Sequence, residues 1–179
     1  MNRDRNQVVL VDTENRELGT MEKYEAHKQG SLHRAFSIFI FNDNGELLLQ
    51  QRASHKYHGA NLWTNTCCSH QQLGESTLDA ARDRLIYEMN LSAELEEIFS
   101  FIYHAHVENN LIEHELDSVL FGINNDIPIP NPEEVQNYRW IAAPDLENWM
   151  ASNPEQFTYW FKDVWHRVKE YMQQEIAAI

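Results

Sequence analysis

Trp63-Thr-Asn-Thr-Cys67-Cys68-Ser69-His70-Gln-Gln-Leu-Gly74-Glu75 runs directly into Ser76-Thr-Leu-Asp79-Ala-Ala81-Arg-Asp-Arg-Leu85-Ile-Tyr-Glu-Met89-Asn90. The first half sets a thiol two residues from an imidazole. Such groups give and take protons, attack electrophiles or bind metals, so the segment is a site candidate on its chemistry alone. The second half opens with helix-start signals: Ser76 as N-cap and Asp79 three residues on, in the manner of a capping box. Leu78, Ala81, Leu85 and Met89 then recur at helical spacing. The pattern predicts a reactive loop braced against a helix running from about Ser76 to Asn90.

Working outward, Gln7 to Asp12 reads as a first strand. Arg34 to Phe41 is rich in aromatic and β-branched residues and reads as a strong one. Asn42-Asp-Asn-Gly45 is a turn and Glu46 to Arg52 another strand, which together predict a hairpin. Ala53 to Cys68 is a long polar loop with residues enough for two strands but no clean alternation, and loops of that length inside a domain are usually functional. Ile98 to His106 and Ile112 to Ile123 form a second antiparallel pair, joined through Val107-Glu-Asn-Asn110. Gln136 to Ile141 is a further short strand. Pro154 to about Glu175 is predicted helical, with Phe157, Trp160, Phe161, Val164, Val168 and Met172 on its apolar face. Strands before, between and after helices predict an α/β (α+β) fold. Its mixed sheet is sandwiched between helices, in a single domain over residues 1–179.

The chain carries 28 acids against 14 Lys and Arg, for a net charge of −14. That balance argues against a nucleic-acid partner, which would need a basic face. A small anion remains possible, because a few local cations can hold one. No apolar run approaches the ~18 residues of a membrane span. The start, Met1-Asn-Arg-Asp-Arg-Asn6, is polar with no apolar signal core behind it, so a cytoplasmic protein without membrane insertion is expected. The only cysteines, Cys67 and Cys68, are adjacent, a poor arrangement for a structural bridge. They read as two small buried hydrophobes, or as a pair in which one thiol is chemically active.

Glu113 and Glu115 stand two apart in a predicted strand, so their carboxylates share a face. They are either surface acids on an edge strand or, given the apolar residues around them, inward acids that need a cation. His27, His33 and His70 with these two acids make a nitrogen and oxygen set suited to a divalent transition metal. The histidines at 55, 58, 104 and 106 compete for that role. Lys23, Arg52, Lys56 and Arg84 are candidate anion-holding groups. Arg52, at the end of a strand and the mouth of the long loop, is the strongest of them.

Four blocks in this order resemble type 1 isopentenyl-diphosphate Δ-isomerases, metal-dependent enzymes with a Nudix fold. They are Leu32-His33-Arg-Ala-Phe36; Leu62-Trp63-Thr-Asn65 leading into Cys68-Ser69-His70; Gln72-Leu-Gly-Glu75; and Glu113-His114-Glu115. The resemblance runs from Gly19 to the Trp160 region. The Nudix box itself is degenerate. Ser69 stands at its opening Gly position, Asp83-Arg84 replaces Arg-Glu, Tyr87-Glu88 keeps one of two acids, and Asn90 replaces the closing Gly. Ala60-Asn61 stands where the family has Pro-Gly ahead of its Trp. Half the acid cluster of the hydrolases is therefore lost, which favours the isomerase branch over a Nudix diphosphohydrolase or a non-catalytic diphosphate-binding module. A flavin-dependent isomerase has an unrelated barrel fold and no signature here.

The resemblance implies that His27, His33, His70, Glu113 and Glu115 bind one divalent metal, manganese, magnesium or zinc. It implies that Cys68 is one acid/base and Glu115, helped by Tyr103, the other. Glu88 would hold a magnesium ion that arrives with the substrate diphosphate. Lys23, Arg52, Lys56 and Arg84 would contact that diphosphate. Trp160, which on its own reads as packing of the last helix, would face the hydrocarbon tail. The implied partner is a small isoprenoid diphosphate, and the expected state is a monomer or weak dimer.

Overall fold

The strand His33–Phe41 (β3) is buried along nearly its whole length, so it must be covered on both faces. In the computed structural model, which describes residues 5–177, it sits at the centre of the sheet. Along one edge it pairs in parallel with Leu111–Ile123 (β8), from His33↔Glu115 to Phe41↔Ile123. Along the other it meets the three-residue strand Cys67–Ser69 (β6), with Ser37 opposite Cys68. Leu95–Val107 (β7) then pairs antiparallel with β8, as expected. Gln7–Val11 (β1) touches β3 at His33 and carries Glu17–Glu22 (β2) on its outer edge.

The expected hairpin after β3 closes only at Phe41↔Leu47. The turn itself forms, with Gly45 N–H donating to Asn42 O at 2.9 Å. Leu47–Arg52 (β4) then swings away to pair with Val135–Ile141 (β9) and Trp63–Thr64 (β5). Thr66 is the wedge. Its hydroxyl accepts from Ile40 N–H at 2.9 Å and donates to Leu48 O at 2.6 Å, joining the two strands where they part. The segment read as a long loop thus contains β5 and β6, which are too short to show alternation.

Helices cover both faces. Thr77–Met89 (α2) packs Ala80, Ala81, Leu85 and Met89 on Phe36, Ile38, Ile40 and Leu120. Its start is the predicted one: Ser76 Oγ accepts from Asp79 N–H and donates to Asp79 Oδ2. On the other face, Ala143–Ser152 (α3) and Tyr159–Ala177 (α4) bring Leu146, Phe161, Val164 and Val168 onto Phe39, Phe41, Val119 and Phe121. The predicted terminal helix is interrupted. A 3-10 turn at Pro154–Gln156 gives way to extended Phe157, which bridges to Trp63, before α4 begins. Sequence reading missed α3, β2 and the helix Lys23–Gln29 (α1). With seven residues and Glu22 as its cap, α1 lacks both the length and the usual start signal.

Two departures from the family pattern fall at left-handed backbone positions. Asn61, at the Gly of Pro-Gly, has φ 65°, and Asn90, at the closing Gly of the box, has φ 54°. Asparagine is the side chain best able to replace glycine in that left-handed region.

Phe161 is fully buried, with ring centroids 6.1 Å from Phe39 and 5.9 Å from Phe157. Phe161→Ala is expected to remove about 3–5 kcal/mol from the free energy of urea unfolding. Leu73→Ala, at an exposed site, is expected to stay within about 0.5 kcal/mol of the parent.

Candidate active site

Strand register builds the site. His33 on β3 is opposite Glu115 on β8, and Glu115 is opposite Tyr103 on β7. Residues directly opposite share a face, so imidazole, carboxylate and phenol stand in one row across three strands. Alternation along β8 puts Glu113 and Asp117 on the same face as Glu115. α1 delivers His27 to this row, and the end of β6 delivers His70. Arg5 braces the latter, donating to His70 O at 3.0 Å and pairing with Glu75 at 3.1 Å.

Three imidazole Nε2 atoms converge on Glu115 Oε1: His70 at 2.9 Å, His33 at 3.4 Å and His27 at 3.7 Å. The donor atoms of these four residues lie within 4.8 Å of one another. His27 Nδ1 donates to Lys23 O and His33 Nδ1 to Ser31 O, both at 2.7 Å. Those bonds fix the tautomer and turn the Nε2 lone pairs inward, where both are buried without a hydrogen-bond partner. Burial pushes the His70 imidazole down to about 3, against the pull of Glu115. Burial also opposes ionisation of Glu115, but the three imidazoles outweigh it and hold the carboxyl well below the usual range. Imidazole nitrogens turned inward on a buried carboxylate make a donor set that fits a divalent cation. Glu113 stands in a second group, with His27 and His58.

Tyr103 O–H reaches Glu113 Oε2 at 2.8 Å and Glu115 Oε2 at 2.5 Å. Burial, reinforced by both acids, pushes the phenol well above its ordinary range. Cys68 lies opposite Ser37, four residues along β3 from His33 and roughly 13 Å away between backbone positions. Cys68, Tyr103, Glu113, Glu115 and Trp160 all line one cavity of about 370 Å³. The two expected acid/base centres therefore face a common space. Cys67 points the other way, into the core under α2.

Asn65 organises the thiol side. Its Oδ1 faces Thr64 Oγ1 at 2.8 Å, Trp160 Nε1 at 3.2 Å and Cys68 Sγ at 3.5 Å. Its amide nitrogen donates to Ile38 O and Cys67 O. Trp160 is both core and cavity wall, so its two readings are compatible.

Lys23, Arg52, Lys56 and Arg84 also line the cavity. Burial and then the neighbouring Lys56 draw the Lys23 ammonium down. Arg84 pairs with Glu88 Oε1 and with Glu134 at 3.2 Å, Lys56 pairs with Glu134, and Gln50 donates to Glu88 Oε2. Arg52 is less free than its position suggested. It donates to His58 O and Gly59 O, each at 3.1 Å, and lies 5.3 Å from the Trp160 ring centroid.

Of the competing histidines, His58 lines the cavity and contacts Glu113. His55 bonds Glu133 O at the surface, and His104 and His106 are exposed with their rings beside each other. Sequence reasoning gave no role to Asp117 or Glu134. Asp117 is buried, takes a hydrogen bond from Ser37 at 2.7 Å, and is driven toward its neutral form by burial and by Glu115. Its i+2 spacing from Glu115 is the signal that could have found it.

A Nudix domain matches residues 31–161. The isopentenyl-diphosphate Δ-isomerase of Pectobacterium atrosepticum is 48% identical over 167 residues, covering 93% of each chain. The protein of the same name from Serratia proteamaculans is 50% identical over 154 residues, covering 86% of each. A solved structure from Deinococcus radiodurans superposes with a TM-score of 0.65 at 18% identity, over 82% of this chain and 89% of that one, which speaks to the fold alone. With its site row, thiol loop and degenerate box, the chain belongs to the isopentenyl-diphosphate Δ-isomerase family of Nudix-domain proteins.

Proposed function

We propose that this chain interconverts isopentenyl and dimethylallyl diphosphate by a two-sided 1,3-proton shift. One observation carries the reading: a thiol and a phenol-linked carboxyl face one cavity whose lining also holds five Lys and Arg side chains. In the forward direction C4 gains a proton and C2 loses one. Cys68 serves one face and Glu115 with Tyr103 the other, and their roles exchange when the reaction reverses. Burial pushes the Cys68 thiol up to about 12, so at rest it keeps its proton.

The alkene is a weak base, and the charge that develops is that of a tertiary carbocation. Water would capture it, so the apolar end of the cavity must stay dry. The Trp160 indole offers that charge a π face without a bond. His27, His33, His70, Glu113 and Glu115 would hold one divalent cation, manganese, magnesium or zinc, which would fix Glu115 and tune its acidity. Lys23, Arg52, Lys56 and Arg84 hold the diphosphate, and with Arg5 they put five of the chain's 14 Lys and Arg around the cavity. Glu88, paired here with Arg84, would hold the magnesium that comes with the substrate, and Arg84 would then be free to meet phosphate oxygens. No helix is long and apolar enough to cross a membrane among the described residues. We place the enzyme in the cytoplasm, as a monomer or weak dimer working as one domain.

Cys68→Ala is expected to lower the rate of dimethylallyl product formation by about 10³-fold or more, while Cys67→Ala keeps most of it. Equal losses would remove the thiol assignment. Dialysis against a strong chelator is expected to strip metal and turnover together, with zinc or manganese restoring both; undiminished turnover in metal-free protein would refute the centre. Arg52→Ala is expected to raise KM about tenfold or more, because it loosens both the diphosphate and the 58–59 backbone. An unchanged KM would sink that role.

A further inference from the structure

We infer that His58 is a further metal ligand in this chain, giving its centre four imidazoles and two carboxylates. The inference rests on the metal centre proposed above. Donor atoms of His27, His58 and Glu113 lie within 4.8 Å of one another, and all three residues are buried. This group shares His27 with the first. His27 Nδ1 is already bonded to Lys23 O, so its Nε2 offers one lone pair to one ion. Two ions cannot both take it, so a ligating His58 would have to share the ion that His27 holds.

Ring positions agree. His27 lies 4.9 Å from His33, 5.6 Å from His70 and 5.6 Å from His58. His58 is thus as close to the shared ligand as an expected ligand is. Its backbone is pinned over the site: Arg52 holds the carbonyls of His58 and Gly59, Gly59 N–H reaches Glu108 at 3.2 Å, and Asn109 holds Tyr57 O at 2.6 Å. Its side chain is incompletely satisfied. Nε2 contacts Glu113 Oε1, while Nδ1 is buried without a hydrogen-bond partner. A buried imidazole left half-paired is costly unless something binds it. Four neutral imidazoles with two carboxylates also cancel the charge of a divalent ion. A nitrogen-rich set of this kind favours zinc, cobalt or nickel over magnesium.

The test counts metal-bound ring nitrogens by NMR in zinc-loaded protein labelled with [15N]histidine, in the parent, His58→Gln and His55→Gln. Four metal-bound imidazoles are expected in the parent and in His55→Gln, and three in His58→Gln. Glutamine keeps a donor for Glu113, so a His58 that only hydrogen-bonds would leave three in every protein. That result would overturn the inference while leaving the three-histidine centre intact. No metal-bound imidazole in any of them would overturn this inference and the metal centre together.

Discussion

The parallel pairing of β3 with β8 sets His33 beside Glu115, and the rest of the site is arranged around that contact. Because the two strands run in register along the whole of β3, the row cannot slip by one residue without turning every core side chain to the wrong face. Register thus ties the position of one carboxylate to the apolar packing of Phe39, Phe41, Val119 and Phe121. A buried carboxylate is unfavourable without compensation, and the sheet on either side is what keeps it beside its imidazole partners.

Polar groups in the cavity are held by bonds that do not depend on a ligand. His27 and His33 are oriented by backbone carbonyls, and Cys68 and Trp160 meet at the Asn65 amide. Such anchoring lets reactive atoms keep their geometry while substrate comes and goes. The cations behave differently. Arg84 and Lys56 are paired with Glu88 and Glu134 within the cavity lining. One end of the site is held by backbone and amide bonds, and the other by ion pairs among its own charged side chains.

Most of the long elements could be read directly. β3, β8, β7 and α2 have enough residues for alternation or helical spacing to show, and the Ser76–Asp79 cap formed as expected. β5, β6 and α1 were missed because each is too short to carry a period. The expected hairpin held only at its turn end, for a different reason. The turn signal was right, but the Thr66 hydroxyl from a distant segment joins the strands where they part, and turn chemistry carries no information about that.

By itself, the sequence determined the mixed sheet between helices, the thiol loop ahead of a capped helix, and the family. Those follow from residue types at close spacing. Tertiary structure alone decided which histidine of several belongs with the acids. His58 comes into the cavity while His104 and His106 face outward. It also decided that Arg52 braces a loop as well as facing the cavity, and that Asp117 lies buried beside Ser37. These outcomes depend on pairing between segments far apart in the chain, set by global packing rather than by local preference.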